Sequence, residues 1–151
     1  MSTSNDQPAV VPLQTIELPA KLEALSQTNA LLASMLTGPY EKILFKTQLI
    51  VEELLTNICS YAYDGKNGSA KFACGVVNFD GQQAVMIQLT DHGLPYDPFA
   101  NAKEPDLEAS IEERAVGGLG IHLIKEIASH YAYMRVDNCN QTQIILNVGT
   151  N

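Results

Sequence analysis

Basic residues are scarce in this chain of 151 residues: nine Lys and Arg, only two of them Arg, stand against seventeen Asp and Glu, for a formal charge of −8. That shortage argues against nucleic acid or an anionic membrane as a direct partner, because phosphate contacts are normally made by a surplus of Lys and Arg. Cysteine is sparse too. Cys59, Cys74 and Cys139 are odd in number and lack C-x-x-C spacing, which indicates neither a disulfide framework nor a zinc site and fits a reducing compartment. No apolar run approaches the roughly 18 residues of a membrane span. The opening MSTSNDQPAV has no basic residue and no apolar stretch of the secretory kind. The expected setting is soluble and cytoplasmic. Internal repeats, low-complexity tracts and a second-domain linker are all missing, and no G-x-x-x-x-G-K-[ST] occurs anywhere.

What is present is an ordinary globular composition, 46% apolar and 17% charged, long enough to bury roughly two-thirds of the unfolded chain's surface. Residues 1–12 read as a loose arm and 13–151 as one domain. LQTIEL, residues 13–18, suits a strand. Leu22, Leu25, Leu32 and Leu36 recur at helical intervals between Pro19 and the stop at Gly38-Pro39. A longer helix is expected from Pro39, a favoured first helical residue, to Tyr63, just before Asp64-Gly65. SAKFACGVVNF and QQAVMIQLT alternate around Asp80-Gly81, the pattern of a β-hairpin. Residues 91–120 hold three of the seven prolines and four of the ten glycines, so a long loop is expected there, of a kind usually functional or mobile. An amphipathic helix, IHLIKEIASHYA, and two closing strands, YMRVDN and TQIILNV, complete the chain.

Three constellations carry chemistry. On the long helix, Ile43, Ile50, Val51, Leu54, Leu55 and Ile58 form one apolar arc at about 100° per residue, with Asn57 at its edge, Glu53 one turn earlier and Glu52 on the opposite flank. Such a Glu and Asn pair beside a buried face is costly unless satisfied by a cation, a reacting hydroxyl or water. Asp91-His92-Gly93 after an apolar strand offers a carboxylate acceptor with room beside it for a flat ring, and is equally an everyday turn. Gly117-Gly118-Leu119-Gly120 opens a helix, where backbone N–H groups and the helix dipole suit phosphate, or simply form a capped turn. Leu123 occupies the last position of a would-be G-x-G-x-x-G, so the dinucleotide-binding fingerprint fails.

Taken in order, EELLTNICSYAY, DHGLPYDP and ERAVGGLGIHLIKEIAS resemble the N-box and the two glycine boxes of the GHKL ATPase superfamily, which includes histidine kinases, gyrase-type ATPases and anti-sigma factor serine kinases. The resemblance runs from about Leu13 to Val148, and its short form is most similar to the anti-sigma serine/threonine kinases. Histidine-kinase catalytic domains normally follow a histidine-bearing helix pair, and the 38 residues before the long helix contain no histidine. The resemblance implies an α/β two-layer sandwich, with a mixed, mostly antiparallel sheet and three helices on one face. It departs from many relatives at Tyr61, where they carry His, and at Ala115, where they carry Pro.

The resemblance further implies ATP and Mg2+ as cofactors. By its motifs Glu53 is the catalytic acid that orients or deprotonates the attacking hydroxyl, Asn57 the magnesium ligand, Asp91 the acceptor from the adenine amino group and Gly93 the point of close approach to the ring. Gly117, Gly118 and Gly120 form the phosphate-facing turn, while Leu119 and Ile121 offer only backbone. Residues 99–116 are the expected nucleotide lid, crowded with Glu104, Asp106, Glu108, Glu112 and Glu113; Arg114 is the candidate for the terminal phosphate or, alternatively, an ion-pair partner of a neighbouring Glu. The implied partners are a sigma factor, held by direct contact, and a STAS-type anti-anti-sigma protein, phosphorylated on Ser or Thr. An acidic surface suits a basic sigma factor. Homodimerisation stays open. Two other functions fit the same motifs: a nucleotide-sensing binding module without phosphoryl transfer, for which Glu53 is unneeded, and a detached histidine-kinase catalytic domain.

Overall fold

The computed structural model describes residues 11–64, 66–101 and 118–149. Five strands form one sheet in the order β1-β2-β3-β5-β4: β1 Val11–Pro19, β2 Ser69–Phe79, β3 Gln82–Asp91, β4 His130–Val136 and β5 Cys139–Asn147. Each neighbouring pair is antiparallel, so the expected two-layer α+β architecture has an antiparallel sheet throughout the described residues. Strand β1 starts at Val11, which brings Val11 and Pro12, expected in the arm, into the sheet. Residues 1–10 of that arm lie outside the described residues.

Alternation decides which side of the sheet is covered. Phe72, Cys74 and Val76 on β2, Val85, Ile87 and Leu89 on β3, and Ile144 and Leu146 on β5 are buried, and register sets Phe72 opposite Leu89 and Cys74 opposite Ile87. Residues of one parity therefore line one face. Three helices pack on it: α1 Leu25–Met35, α2 Leu44–Asn57 and α4 Gly118–Ile127; a single turn, α3 Pro98–Asn101, follows β3. Helix α2 touches both α1 and α4 and lies against β3, the central strand. The predicted arc of Ile43, Ile50, Val51, Leu54, Leu55 and Ile58 is buried throughout.

The long helix is not uniform. It enters through a 3-10 segment, Gly38–Ile43, becomes α-helical at Leu44, and ends in a π-helical turn, Ile58–Ala62. Proline at the start removes a donor that the helix would not use, and the wide last turn closes with Tyr63 N–H donating to Ile58 O at 3.3 Å. The other long-range difference lies near the end of the chain. The last helix stops at Ile127, not at Ala132, and β4 begins at His130. Strands β4 and β5 turn tightly through Asp137 and Asn138, both at positive φ, 51° and 63°, a backbone form that Asp and Asn accept more readily than most residues. That turn starts β5 at Cys139, three residues before the expected Thr142.

Candidate functional site

The motif residues of α2 and β3 face one another because α2 lies over the central strand. Asp91 ends β3 and is 3% exposed. Its Oδ1 accepts the Gly93 N–H at 2.8 Å and the Asn140 Nδ2 at 2.9 Å. Among the described residues no donor reaches Oδ2, which leaves one oxygen of a buried carboxylate ready to accept from a ligand. Asp91 and Asn140 are directly paired in the β3–β5 ladder, and Arg135 pairs with Asn140 in turn.

Asn140 is the organiser of this corner. Besides holding Asp91, its Nδ2 donates to Leu94 O at 2.8 Å, and its Oδ1 accepts the Tyr96 N–H at 3.2 Å and the Tyr133 hydroxyl. A buried amide so fully used fixes both the carboxylate and the loop after it. At Gly93 the close approach is to protein backbone: a Cβ there would overlap the carbonyl of Ala62, and the next N–H, of Leu94, donates to that same carbonyl at 2.7 Å. The end of the long helix and the loop after β3 are thus stitched together by backbone.

Leu54, Asn57, Ile58, Ala62, Leu89, Asp91, Tyr96, Pro98, Asn140 and Thr142 line a single narrow pocket. Tyr96 stacks on Tyr61 with ring centroids 4.8 Å apart, so Tyr61, the departure from many relatives, is tied to the pocket wall through its neighbour. Asp97 then caps α3, its Oδ1 accepting the Phe99 N–H at 2.9 Å and the Ala100 N–H at 3.2 Å. Lys125 of α4 reaches across to Phe99 O at 2.9 Å.

Glu53 lies one turn before Asn57, and the Asn57 Nδ2 donates to its Oε2 at 3.4 Å. The Asn57 Oδ1, the end of the amide that a hard cation prefers, is left to accept. Burial pushes the Glu53 carboxyl up to about 7; the Asn57 amide opposes the rise, and the neighbouring Glu52 charge adds to it. Against this carboxyl stands Gly120, where a Cβ would overlap Oε1. Gly118 and Gly120 belong to the first turn of α4, not to a loop before it, so their N–H groups are among the four that a helix cannot satisfy by itself. The turn offers an anion the combined pull of those donors and the helix dipole. Ile121 is buried in the core, leaving its backbone alone for any ligand contact.

The structure therefore brings Asn57 and Asp91 to one pocket, and Glu53 to the start of α4. Arg114, Gly117 and lid residues 102–116 lie outside the described residues, as does the side chain of Leu119. Sequence reasoning missed Asn140, Thr142 and Tyr96. A signal for the first two existed: Asn140, Thr142, Ile144 and Leu146 share one strand parity, so two polar residues extend a core-facing apolar row. The residues on hand fit a nucleotide with its cation, given an unused carboxylate oxygen, a free amide oxygen and a glycine-opened helix start.

An antiparallel sheet under three helices, with these motifs at one end of α2, defines a class of ATPase domain. The model of the histidine kinase-like ATPase domain matches residues 18–146, and the chain belongs to that family, within the GHKL superfamily. A domain of this family binds ATP. The chain is also 27% identical, over 99 residues, to the serine/threonine-protein kinase BtrW of Bordetella bronchiseptica, covering 66% of this chain and 67% of that one. No helix among the described residues is long and apolar enough to cross a membrane.

Proposed function

We propose that this protein is a magnesium- and ATP-dependent serine/threonine protein kinase that phosphorylates a STAS-type anti-anti-sigma partner and sequesters a sigma factor. The observation that carries the kinase reading is Glu53: a half-buried carboxyl raised to about 7, set against the first turn of the helix whose N–H groups suit phosphate. A group poised near neutrality is suited to accept the proton of an incoming hydroxyl. The similarity to a protein named as a serine/threonine kinase supports the same reading. Bound ATP would supply the phosphoryl group, and Mg2+ would offset its charge.

The roles of this chain's own residues follow from their atoms. Asp91 Oδ2 would accept from the adenine amino group, Asn57 Oδ1 would ligate the cation, the N–H groups at Gly118 and Gly120 would face phosphate, and Glu53 would take the hydroxyl proton. Arg114 is proposed for the terminal phosphate and Gly117 for backbone contact with phosphate. Partner identity is tested by incubating the protein with labelled ATP and a STAS-domain protein. Acid-stable, alkali-labile label on the partner is expected, as for phosphoserine. Acid-labile label would identify a histidine-kinase catalytic domain, and ATP binding with no transfer would identify a nucleotide-sensing module.

A further inference from the structure

A second cleft lies beside the loop that follows Asp91. It holds about 490 Å3, within the range of small-molecule sites. Three turns wall it: the turn after the long helix with Tyr63 and Lys66, the β3 exit with His92, Gly93, Leu94 and Pro95, and the β4–β5 hairpin with Arg135 and Asn138. Ala62 lines both cavities.

Its walls are held in place before any ligand arrives. The Tyr63 hydroxyl donates to Ser69 O at 2.6 Å and accepts the His92 N–H at 2.8 Å, and Gly68 backs the ring so closely that a Cβ would collide with it. The His92 Nδ1 is 3.1 Å from Cys139 Sγ. Arg135 Nη1 donates to Gly93 O at 2.8 Å, which uses one of the guanidinium's five N–H donors. Leu94, 63% exposed, adds an apolar surface at the rim.

Charge decides what fits. The chain is acidic overall, yet this cleft gathers Lys66 and Arg135 against one acid, Asp64. Among the described residues neither Lys66 nor Arg135 has a carboxylate partner. Two cations without an ion-pair partner, facing the single acid Asp64 beside a fixed tyrosine ring and an exposed leucine, match a ligand that is anionic at one end and apolar at the other.

We propose that this cleft is a binding site, separate from the nucleotide pocket, for a small organic anion whose phosphate or carboxylate is held by Lys66 and Arg135 and whose flat apolar body rests against Tyr63 and Leu94. The site stands on its own residues and does not depend on the kinase reading. Amide chemical shifts of the full chain, titrated separately with phenyl phosphate, benzoate, inorganic phosphate and phenol, test it. Saturable shifts at Lys66, His92, Gly93 and Asn138 are expected with phenyl phosphate, with weaker ones for inorganic phosphate, which lacks the ring, and none for neutral phenol. Stronger binding of benzoate than of phenyl phosphate would assign the site to carboxylates. Lys66→Gln, an exposed change, should weaken binding about three- to tenfold and leave ATP affinity alone, whereas Asp91→Asn should leave phenyl phosphate binding alone. Shifts confined to the first turn of α4, non-saturating shifts, or equal affinity in Lys66→Gln would overturn the proposal.

Discussion

The carboxylate of Glu53 on α2 rests against Gly120 in the first turn of α4, at a point where a Cβ on residue 120 would overlap Oε1. The contact exists because residue 120 has no side chain. Gly120→Ala should push the carboxylate aside while leaving the helices packed, since the overlap is with the mobile end of a side chain. Stability is expected to change by less than about 1 kcal/mol, partly offset by the better helix propensity of Ala. Phosphoryl transfer should fall about tenfold to a hundredfold, the scale of a misplaced catalytic group. Melting curves and single-turnover assays on the one variant read both quantities, and normal turnover would detach the contact from catalysis.

Glu53→Gln keeps the shape of the side chain and removes its basic function. Transfer should drop roughly 10²- to 10⁴-fold while ATP affinity, measured by calorimetry, stays within about twofold, because no adenine or phosphate contact is assigned to this group. Parallel loss of ATP binding would mean that Glu53 is structural.

The pH dependence has a defined sign. Folding raises the Glu53 pKa from its ordinary 4.5 to about 7, so between those values the folded state binds a proton that the unfolded chain has lost. Glu53 therefore adds most to stability below about pH 4.5, and that contribution declines as pH rises to about 7. Partial exposure of the carboxyl limits the loss to about 1 to 2 kcal/mol. Denaturant titrations should show Glu53→Gln gaining on the parent protein across this window. If Glu53 is the proposed base, transfer should run the other way and rise with pH through about 7 in the parent only, because only the deprotonated carboxylate can accept the hydroxyl proton.

Asp91→Asn replaces an acceptor-only group by an amide that accepts more weakly. ATP affinity is expected to fall by about 1.5 to 3 kcal/mol, the scale of a hydrogen bond to a charged group, and to fall further on magnesium chelation if Asn57 holds the cation. Calorimetry with and without chelator separates the two contributions. Unchanged affinity in Asp91→Asn would remove it from the site.

Gly93→Ala places a methyl group against backbone, the Ala62 carbonyl, which cannot swing away as a side chain can. The Leu94 N–H to Ala62 O bond should be strained or lost, with a cost of about 1 to 3 kcal/mol in chemical denaturation and weaker ATP binding through displacement of Asp91. A fully stable variant would show that the loop has slack.

By itself the sequence determined the alternating strands β2 and β3 with their Asp80-Gly81 turn, the buried arc of α2, and the pairing of Glu53 with Asn57, because periodicity and i, i+4 spacing are local properties of the backbone. It marked Asp91 and the glycines as candidates for ligand contact, and the order of three motifs carried the family. Tertiary structure decided what local pattern could not contain. The end of the last helix at Ile127 and the early start of β4 follow from pairing with β5, which overrides the helical propensity of the residues around Ala128. Register alone sets Asn140 opposite Asp91, 49 residues away. The rise in Glu53's pKa comes from burial, and its contact with Gly120 from the packing of α4 on α2. Those are distances between residues far apart in the chain, and only a folded backbone brings them together.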